Sequence, residues 1–535
     1  MDKLPQEIVD IIVFFANSNE QGNQYHMHGP DAKHLARQLV TVSKKFQRAI
    51  ECDTFKVLHL DLDRARDARD ILSRFSRWSH LRLLEFTAIL PDYDEVACTR
   101  YENAAEKAEN SRVFTENITE LFHLLSQCPV ACASRPVVLR VEIYSKTDRI
   151  CVSHSLQGRV TQKETHAKPV SGDIRRWRWK RSKLQLDKSV RLASIKHLNI
   201  PVFQMQRRPL LFRHVAADSI MRLISAMPPS LKFTVNRFSD TEKNDLAHRI
   251  AHREDIANAI DSLPKLISPY FHVEYLPPLD HNFQPPVLHN HDTQSDSVSC
   301  AIRRITQRCK RVFVTGVLGS TELFWPNVNS APDPYWHSLE FLDIWYHPIT
   351  PGGKWLFGLD PFLHFGSARM QARDLYSRPE PVEGRADEDQ QACQFRYTAI
   401  QQLMDEFYVA AARAAANMPK LKRLALVVTH QPSWRIDGAP LHHFEFRASK
   451  DNHASITWTS SPVFTPSQAV IDAWMRVSCI RGLSMRVRLT GRPFNDRGNT
   501  RYVDPTDDDP DSVHEEEEDD EEYDEGDSEE DEGEE

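Results

Sequence analysis

The sequence predicts an α/β protein with a small all-α N-terminal domain, an irregular body of helix–turn–strand units and a disordered acidic tail. Three observations predict this organisation. An amphipathic helix occupies the first residues of the chain. Farther along, helical stripes of apolar residues are repeatedly followed by short strand-like apolar runs. Residues 504–535 contain 22 Asp or Glu and no Lys or Arg, and such a composition cannot bury enough apolar surface to fold.

The predicted N-terminal domain, residues 1–60, begins with a short helix. Pro5 suits the first helical turn because its φ is fixed and its missing N–H is not needed there. Glu7 falls in the same turn, where a carboxylate favours the positive end of the helix dipole. The apolar stripe of this helix consists of Leu4, Ile8, Ile11, Ile12 and Phe15. An ordinary core helix is the alternative interpretation of this pattern.

The opening Leu4-Pro5-Gln6-Glu7-Ile8 and the later run Val42-Ser43-Lys44-Lys45-Phe46 resemble the F-box. That family has a Leu-Pro-x-Glu-Ile opening, a second helix, and a third helix ending in Val-(Ser/Cys)-(Arg/Lys)-x-(Phe/Trp). The resemblance implies docking on a Skp-type adaptor of a cullin-type ubiquitin ligase. The adaptor-binding residues it implies are Leu4, Pro5, Glu7, Ile8, Ile11, Ile12, Leu35, Leu39, Val42 and Phe46. The chain departs from the family in its long polar stretch, residues 17–32.

The body is predicted to comprise residues 61–144 and 191–490, with a basic polar insertion at 145–190 between them. Loops at 277–296 and 367–391 interrupt the second part. Helical stripes around Phe114–Leu125, Val215–Met227, Val298–Cys309 and Ile400–Ala411 each precede a strand-like run. Strands are predicted to start near residues 81, 137, 198, 231, 312, 339 and 421.

These helix–turn–strand units resemble a degenerate leucine-rich-repeat solenoid, in which each unit buries its apolar face only by stacking on its neighbours. Because the strand spacing is uneven, a less regular α/β layer structure stays open as the alternative. The region from about residue 200 to 480 also resembles an uncharacterised body domain of filamentous-fungal F-box proteins. Its matching segments include Glu322–Pro326, Pro351–Phe357 and Ile456–Trp458.

The net charge of −9 hides a basic body, because residues 1–503 carry 67 Lys or Arg against 54 Asp or Glu. Residues 145–190 hold 12 of these bases and only 4 acids. A patch within this stretch alternates bases with indoles, which could bind phosphates and stack on nucleobases, or direct nuclear localisation. It consists of Arg175, Arg176, Trp177, Arg178, Trp179, Lys180, Arg181 and Lys183. A half-buried edge strand is the alternative interpretation.

No nucleophile elbow, metalloprotease helix or kinase motif is present in the sequence, so we expect no enzyme activity, cofactor or metal site. The run Thr315–Ser320 lacks the ending of a phosphate loop and predicts a turn after the strand Val312–Val314. The nine cysteines have no disulfide-like rhythm, which favours a reducing compartment. No apolar run approaches the roughly 20 residues that span a bilayer. We therefore expect a location in cytoplasm and/or nucleus, without a membrane partner.

The leading functional prediction is a substrate receptor of a cullin-type ubiquitin ligase. Its N-terminal helices would bind a Skp-type adaptor, and its body would hold an unidentified protein substrate. The alternative is a non-enzymatic nuclear or chromatin scaffold acting through the basic patch and the acidic tail, with nucleic acid as a secondary candidate partner.

Overall fold

The structure is a computed structural model, in which the described residues form one compact unit within Met1–Pro493. The second unit, Phe494–Glu535, lies outside the described residues and includes the predicted tail. The described residues are 5–17, 42–73, 75–94, 97, 100–130, 135–148, 182–205, 213–240, 246–263, 268–275, 284–289, 294–327, 333–359, 396–428, 442–449, 451–460 and 463–491. Within these ranges, the helices are too short or too polar to cross a bilayer.

Helices alternate with the strands of a central sheet along most of the chain. The described α-helices are α1 (Gln6–Asn17), α2 (Lys44–Thr54), α3 (Leu62–Leu72), α4 (Phe75–His80), α5 (Ala104–Ser126), α6 (Ala217–Ser225), α7 (Leu246–Ser262), α8 (Ser297–Thr306), α9 (Gln401–Ala416) and α10 (Gln468–Arg481). The described strands are β1 (Val57–Leu60), β2 (Leu83–Leu90), β3 (Pro136–Ser145), β4 (Lys183–Leu184), β5 (Asn199–Met205), β6 (His214–Val215), β7 (Phe233–Asp240), β8 (Ser268–Tyr275), β9 (Arg311–Leu318), β10 (Phe341–His347), β11 (Phe357–Leu359), β12 (Arg396–Ala399), β13 (Arg423–Val428), β14 (His442–Ala448), β15 (His453–Ser460) and β16 (Ser484–Gly491).

Twelve of these strands form one sheet in the order β1-β2-β3-β5-β7-β8-β9-β10-β13-β14-β15-β16. Neighbouring strands are parallel from β1 to β13. β14 runs antiparallel to both of its neighbours, and β16 is parallel to β15. The prediction of a mixed α/β protein is confirmed. The strand starts predicted from the sequence correspond to β2, β3, β5, β7, β9, β10 and β13.

One face of the sheet forms the main core together with the helices. β2 shows the pattern most clearly, because its residues alternate between half-buried and buried. Phe86 lies beside Val141 of β3 in the register, and both are at most 1% exposed. From α5, Phe114 and Ile118 are fully buried in the same core. Burial of each such side chain contributes about 1.5–3 kcal/mol, so the alternation of the strands fixes which face the helices cover.

The ends of the predicted insertion at 145–190 pack against the body where the structure describes them. Ser145 ends β3, and Asp148 is completely buried. The Asp148 carboxylate accepts hydrogen bonds from the guanidinium of Arg213, which also pairs with Glu102. At the other end, β4 pairs with β6 in a separate two-stranded sheet. These ends are therefore parts of the folded layer.

The predicted turn at Thr315–Ser320 is wrong in its position, because β9 continues to Leu318. Gly316 adopts a φ of +74° inside this strand, a conformation that costs other residues energy. The neighbouring strand β10 shifts its register between Trp345 and Tyr346. The glycine is thus accommodated as an irregularity within the ladder, and the strand does not end there.

Candidate binding surfaces

The face of the sheet opposite the main core carries many polar and aromatic side chains, most of them half-exposed, and we call it the open face. In a strand, alternate residues share a face, and the pairing register aligns one open-face residue from each successive strand. This row is His59, Glu85, Arg140, Gln204, Val235, Tyr270, Phe313, Asp343, Ala425, Glu445, Thr457 and Arg488.

The centre of the open face is aromatic. Tyr270 stacks on Phe313 with ring centroids 4.9 Å apart, and Phe313 lies 5.9 Å from Trp345. On the same face, the guanidinium of Arg311 lies 4.5 Å from the ring centroid of Phe341. Half-exposed aromatic side chains offer a large contact area at low entropic cost, and such residues are enriched in protein interfaces.

Polar side chains on β1, β2, β3 and β5 form a chain of hydrogen bonds on the open face. The carboxylate of Glu85 lies 2.8 Å from His59 on one side and 2.8 Å from Arg140 on the other. Arg140 Nε also donates to Gln204 Oε1 at 3.0 Å. These bonds link side chains across four neighbouring strands, so this end of the face is polar.

A second polar group lies on β10, β13 and β14, beside the aromatic centre. Arg423 contacts Asp343 at 3.1 Å and Glu445 at 2.7 Å, and Arg447 reaches Glu445 at 2.8 Å. Burial raises the pKa of Asp343 to about 6, despite the nearby Arg423. Although burial alone would raise the pKa of Glu445, hydrogen bonds from Arg423 and Arg447 lower it. Glu445 is therefore the more firmly ionised carboxylate of this group.

The N-terminal helices α1 and α2 share a small core of their own. It consists of Val9, Val13, Phe46, Ala49 and Ile50, all at most 5% exposed. Ser43 caps the N-terminus of α2, because its Oγ accepts a hydrogen bond from the Phe46 N–H. Gln6 Nε2 of α1 donates to the Lys45 carbonyl. The two sequence segments that resemble the F-box are thus adjacent in the structure.

The described members of the predicted adaptor-binding set divide into two groups. Phe46 is buried in the α1–α2 core, whereas Pro5, Glu7, Ile8 and Val42 are exposed, with Ile8 43% and Val42 42% accessible. The backbone of Ile11 and Ile12 lies in α1, and their side chains are not described. Leu4, Leu35 and Leu39 lie outside the described residues.

Lys183 is the one residue of the predicted basic patch that the structure describes. It belongs to β4 and lines a groove of about 970 Å³ between α5, α6 and α7. Lys188 and Arg222 also line this groove, but so do Asp218 and Asp255. The groove is therefore mixed in charge. Arg175, Arg176, Trp177, Arg178, Trp179, Lys180 and Arg181 lie outside the described residues.

Acidic, histidine and cysteine side chains in the described ranges do not gather in groups of three or more that could hold a metal ion. What the described surfaces offer is contact area, ion pairs and aromatic rings. Such surfaces are suited to binding another macromolecule.

Residues 392–500 match a family of unknown function (DUF6546). The match covers about a fifth of the chain and extends from β12 to β16, where the sheet becomes antiparallel. No curated protein and no solved structure matches this chain. Because the matched family has no known activity, it contributes no functional residue.

Proposed function

We propose that this protein is a non-catalytic substrate receptor of a cullin-type ubiquitin ligase. Its α1–α2 pair, an F-box-like unit, binds a Skp-type adaptor, and its body binds a protein substrate across the open face. Ubiquitin transfer is catalysed by partner enzymes, and the receptor contributes by raising the effective concentration of the substrate.

The observation that carries the proposal is the separate core of the α1–α2 pair. Helices recruited only to close the main core would bury their apolar residues in it, yet Val9, Val13 and Phe46 form a cluster of their own. Ile8 and Val42, which the F-box resemblance assigns to the adaptor, stay more than two-fifths exposed. Exposed apolar residues on a small helical unit suit a surface that a partner covers.

The order of the strands supports a leucine-rich-repeat-like body. From β1 to β13 each new strand of the large sheet lies beside the one before it, in parallel. Stacked units of this kind present one extended face for binding. On that face the aromatic centre at Tyr270, Phe313 and Trp345 supplies contact area, and the flanking ion pairs supply specificity.

The test is co-purification of the full-length protein with a Skp-type adaptor. The double variant Pro5→Ala, Ile8→Asp should abolish adaptor recovery while leaving the fold intact, because both side chains are exposed. Gln401→Asp, which places the same carboxylate at an exposed position of α9, should bind as the wild type does. Full adaptor recovery by the double variant would refute the assignment of Pro5 and Ile8 as adaptor contacts.

A variant that lacks residues 1–50 distinguishes the ligase receptor from the alternative function, a nuclear or chromatin scaffold. A ligase receptor would lose the adaptor and keep its substrate, whereas a scaffold acting through the basic patch and acidic tail would keep all of its partners. The comparison is read by mass spectrometry of the proteins recovered with each form.

A further inference from the structure

The two edge strands of the large sheet differ in length. β1 has four residues, whereas β16 has eight. Both faces of β16 are accessible, and Val487 and Leu489 are 41% and 44% exposed. Proteins commonly blunt sheet edges by shortening the strand, since a long exposed edge is a template for another strand. β1 follows this rule and β16 does not.

The backbone of β16 offers hydrogen-bonding groups on its outer side. Ser484 N–H donates to the Asn452 carbonyl at 2.8 Å, so it points toward β15. Backbone direction alternates along a parallel strand, which turns the N–H and C=O groups of Met485, Val487 and Leu489 away from β15. β15 is the one strand that pairs with β16 among the described residues. Within the described part of the chain, the ladder N–H and C=O groups of these three residues therefore have no strand partner.

The two faces of this edge have different chemistry. Val487 and Leu489 are aligned with the buried Ile456 and Trp458, so they lie on the helix-covered side of the sheet. Arg486 and Arg488 are aligned with Ser455 and Thr457 on the open face. Neither arginine makes an ion pair within the described part of the chain. The edge is apolar on one side and cationic on the other.

We propose that the outer edge of β16 binds an extended segment of a partner protein in which acidic and apolar residues alternate. Added as a further strand, such a segment would place its carboxylates beside Arg486 and Arg488 and its apolar side chains beside Val487 and Leu489. Main-chain hydrogen bonds supply affinity in this binding mode, and the alternate side chains supply specificity. The proposal does not depend on adaptor binding by α1 and α2.

In the register centred on Val487, a second copy of the chain fits this edge poorly. A two-fold symmetric antiparallel pairing centred on Val487 would bring Arg486 opposite Arg488 of the other copy. Like charges directly opposite each other destabilise a strand pair. The two arginines of the edge therefore favour an acidic partner over a second copy in this register.

The binding test uses the full-length protein and a fluorescent eight-residue peptide of alternating Glu and Val, followed by fluorescence anisotropy. Two matched peptides are a block peptide with the four Glu before the four Val, and an alternating Lys–Val peptide. We expect saturable binding of the Glu–Val peptide that weakens with added salt, and at least about tenfold weaker binding of the other two.

Two variants and one control variant locate the site. Arg486→Glu with Arg488→Glu should weaken the Glu–Val peptide about tenfold or more and strengthen the Lys–Val peptide. Arg476→Glu, a reversal at an exposed arginine of α10, should change neither affinity. Val487→Pro removes an outward N–H without taking a bond from β15, a change that edge strands tolerate, and it should also weaken binding.

Hydrogen exchange measured on the free protein checks that the edge is open. The Val487 and Leu489 amides should exchange much faster than those of Arg486 and Arg488. The proposal is overturned if the Glu–Val peptide does not bind saturably, or if the charge reversal leaves both peptide affinities unchanged. Protected Val487 and Leu489 amides, or a dimer in sedimentation that Val487→Pro dissociates, would assign the edge to the chain itself and also overturn it.

Discussion

Replacing Gly316 by alanine should destabilise the protein strongly, and Gly482→Ala provides a matched control. Both glycines have positive φ, +74° and +63°. An added Cβ at Gly316 would lie 2.2 Å from the Val273 carbonyl oxygen, whereas at Gly482 it would meet nothing within 4 Å. The pair therefore separates the cost of the left-handed backbone from the cost of close approach between β8 and β9.

The magnitudes follow from these two geometries. A non-glycine residue in the left-handed region costs about 1–2 kcal/mol, and alanine recovers about 0.4–1 kcal/mol by restricting the unfolded chain. Gly482→Ala should therefore lower the free energy of unfolding by about 1 kcal/mol. At Gly316 the β8 backbone must also move by about 1 Å, since van der Waals contact requires more than 3 Å. Losing two ladder hydrogen bonds adds about 2 kcal/mol, for a total near 3 kcal/mol.

The assay is equilibrium urea unfolding of the full-length variants, followed by tryptophan fluorescence. Gly316→Ala should shift the midpoint about three times as far as Gly482→Ala does, provided that both keep the wild-type slope. Because Gly316 lies where β10 shifts register beside Trp345, the emission of this half-buried tryptophan should change in Gly316→Ala alone. Equal midpoint shifts in the two variants would refute the close approach of β8 and β9.

Two further predictions concern the open face. The pKa of Asp343 is raised to about 6 from an ordinary 3.8, so the stability that its protonated form contributes is lost as pH rises from about 4 to about 6. In the Asp343→Asn variant, the urea midpoint should fall less between pH 4 and pH 6 than it does in the wild type. If the midpoints of both proteins fell equally over this range, the raised pKa of Asp343 would be contradicted. Trp345→Ala should lower the free energy of unfolding by less than the 3–5 kcal/mol, roughly, that is expected for Trp458→Ala, because Trp458 is buried. The same variant should nevertheless reduce the recovery of co-purifying proteins. Undiminished recovery would argue against the aromatic centre as the substrate site.

Elements with an apolar stripe could be predicted from the sequence, and α7 shows why others could not. The stripe Phe114, Ile118, Leu121 and Leu125 lies on α5 as predicted, because each side chain is buried in the main core. α7 instead buries Arg249 and Arg253 at 2% exposure. Arg253 pairs with Asp296 at 2.7 Å, and Arg249 lies over the Tyr275 ring. The first half of its inward face is therefore basic, and the apolar pattern that predicts a helix is limited to its second half, where Ile256 and Ile260 are buried.

The residues of the open face could not be predicted from the sequence, because they come from different strands that are far apart in the chain. Tyr270 and Phe313 stack only because β8 pairs with β9 in one particular register, and β8 itself was not predicted. The antiparallel direction of β14 could not be predicted either. Its buried and half-buried residues alternate as they do in the parallel strands, so only its pairing with β13 in the folded protein fixes its direction. The sequence did single out the exposed Ile8 and Val42, because a recognisable local motif contains them. Their role as adaptor contacts stays a prediction.

The order of the strands in the large sheet also explains why no regular repeat is visible in the sequence. Successive strands lie side by side about 4.8 Å apart, whatever the length of chain between them. Between β10 and β13 that length includes residues 360–395, whereas β1 and β2 are separated by little more than two short helices. In general, doubling the number of residues between two paired segments costs only about 0.6 kcal/mol of loop-closure free energy. The connections between strands can therefore differ in length while the distance between neighbouring strands stays the same.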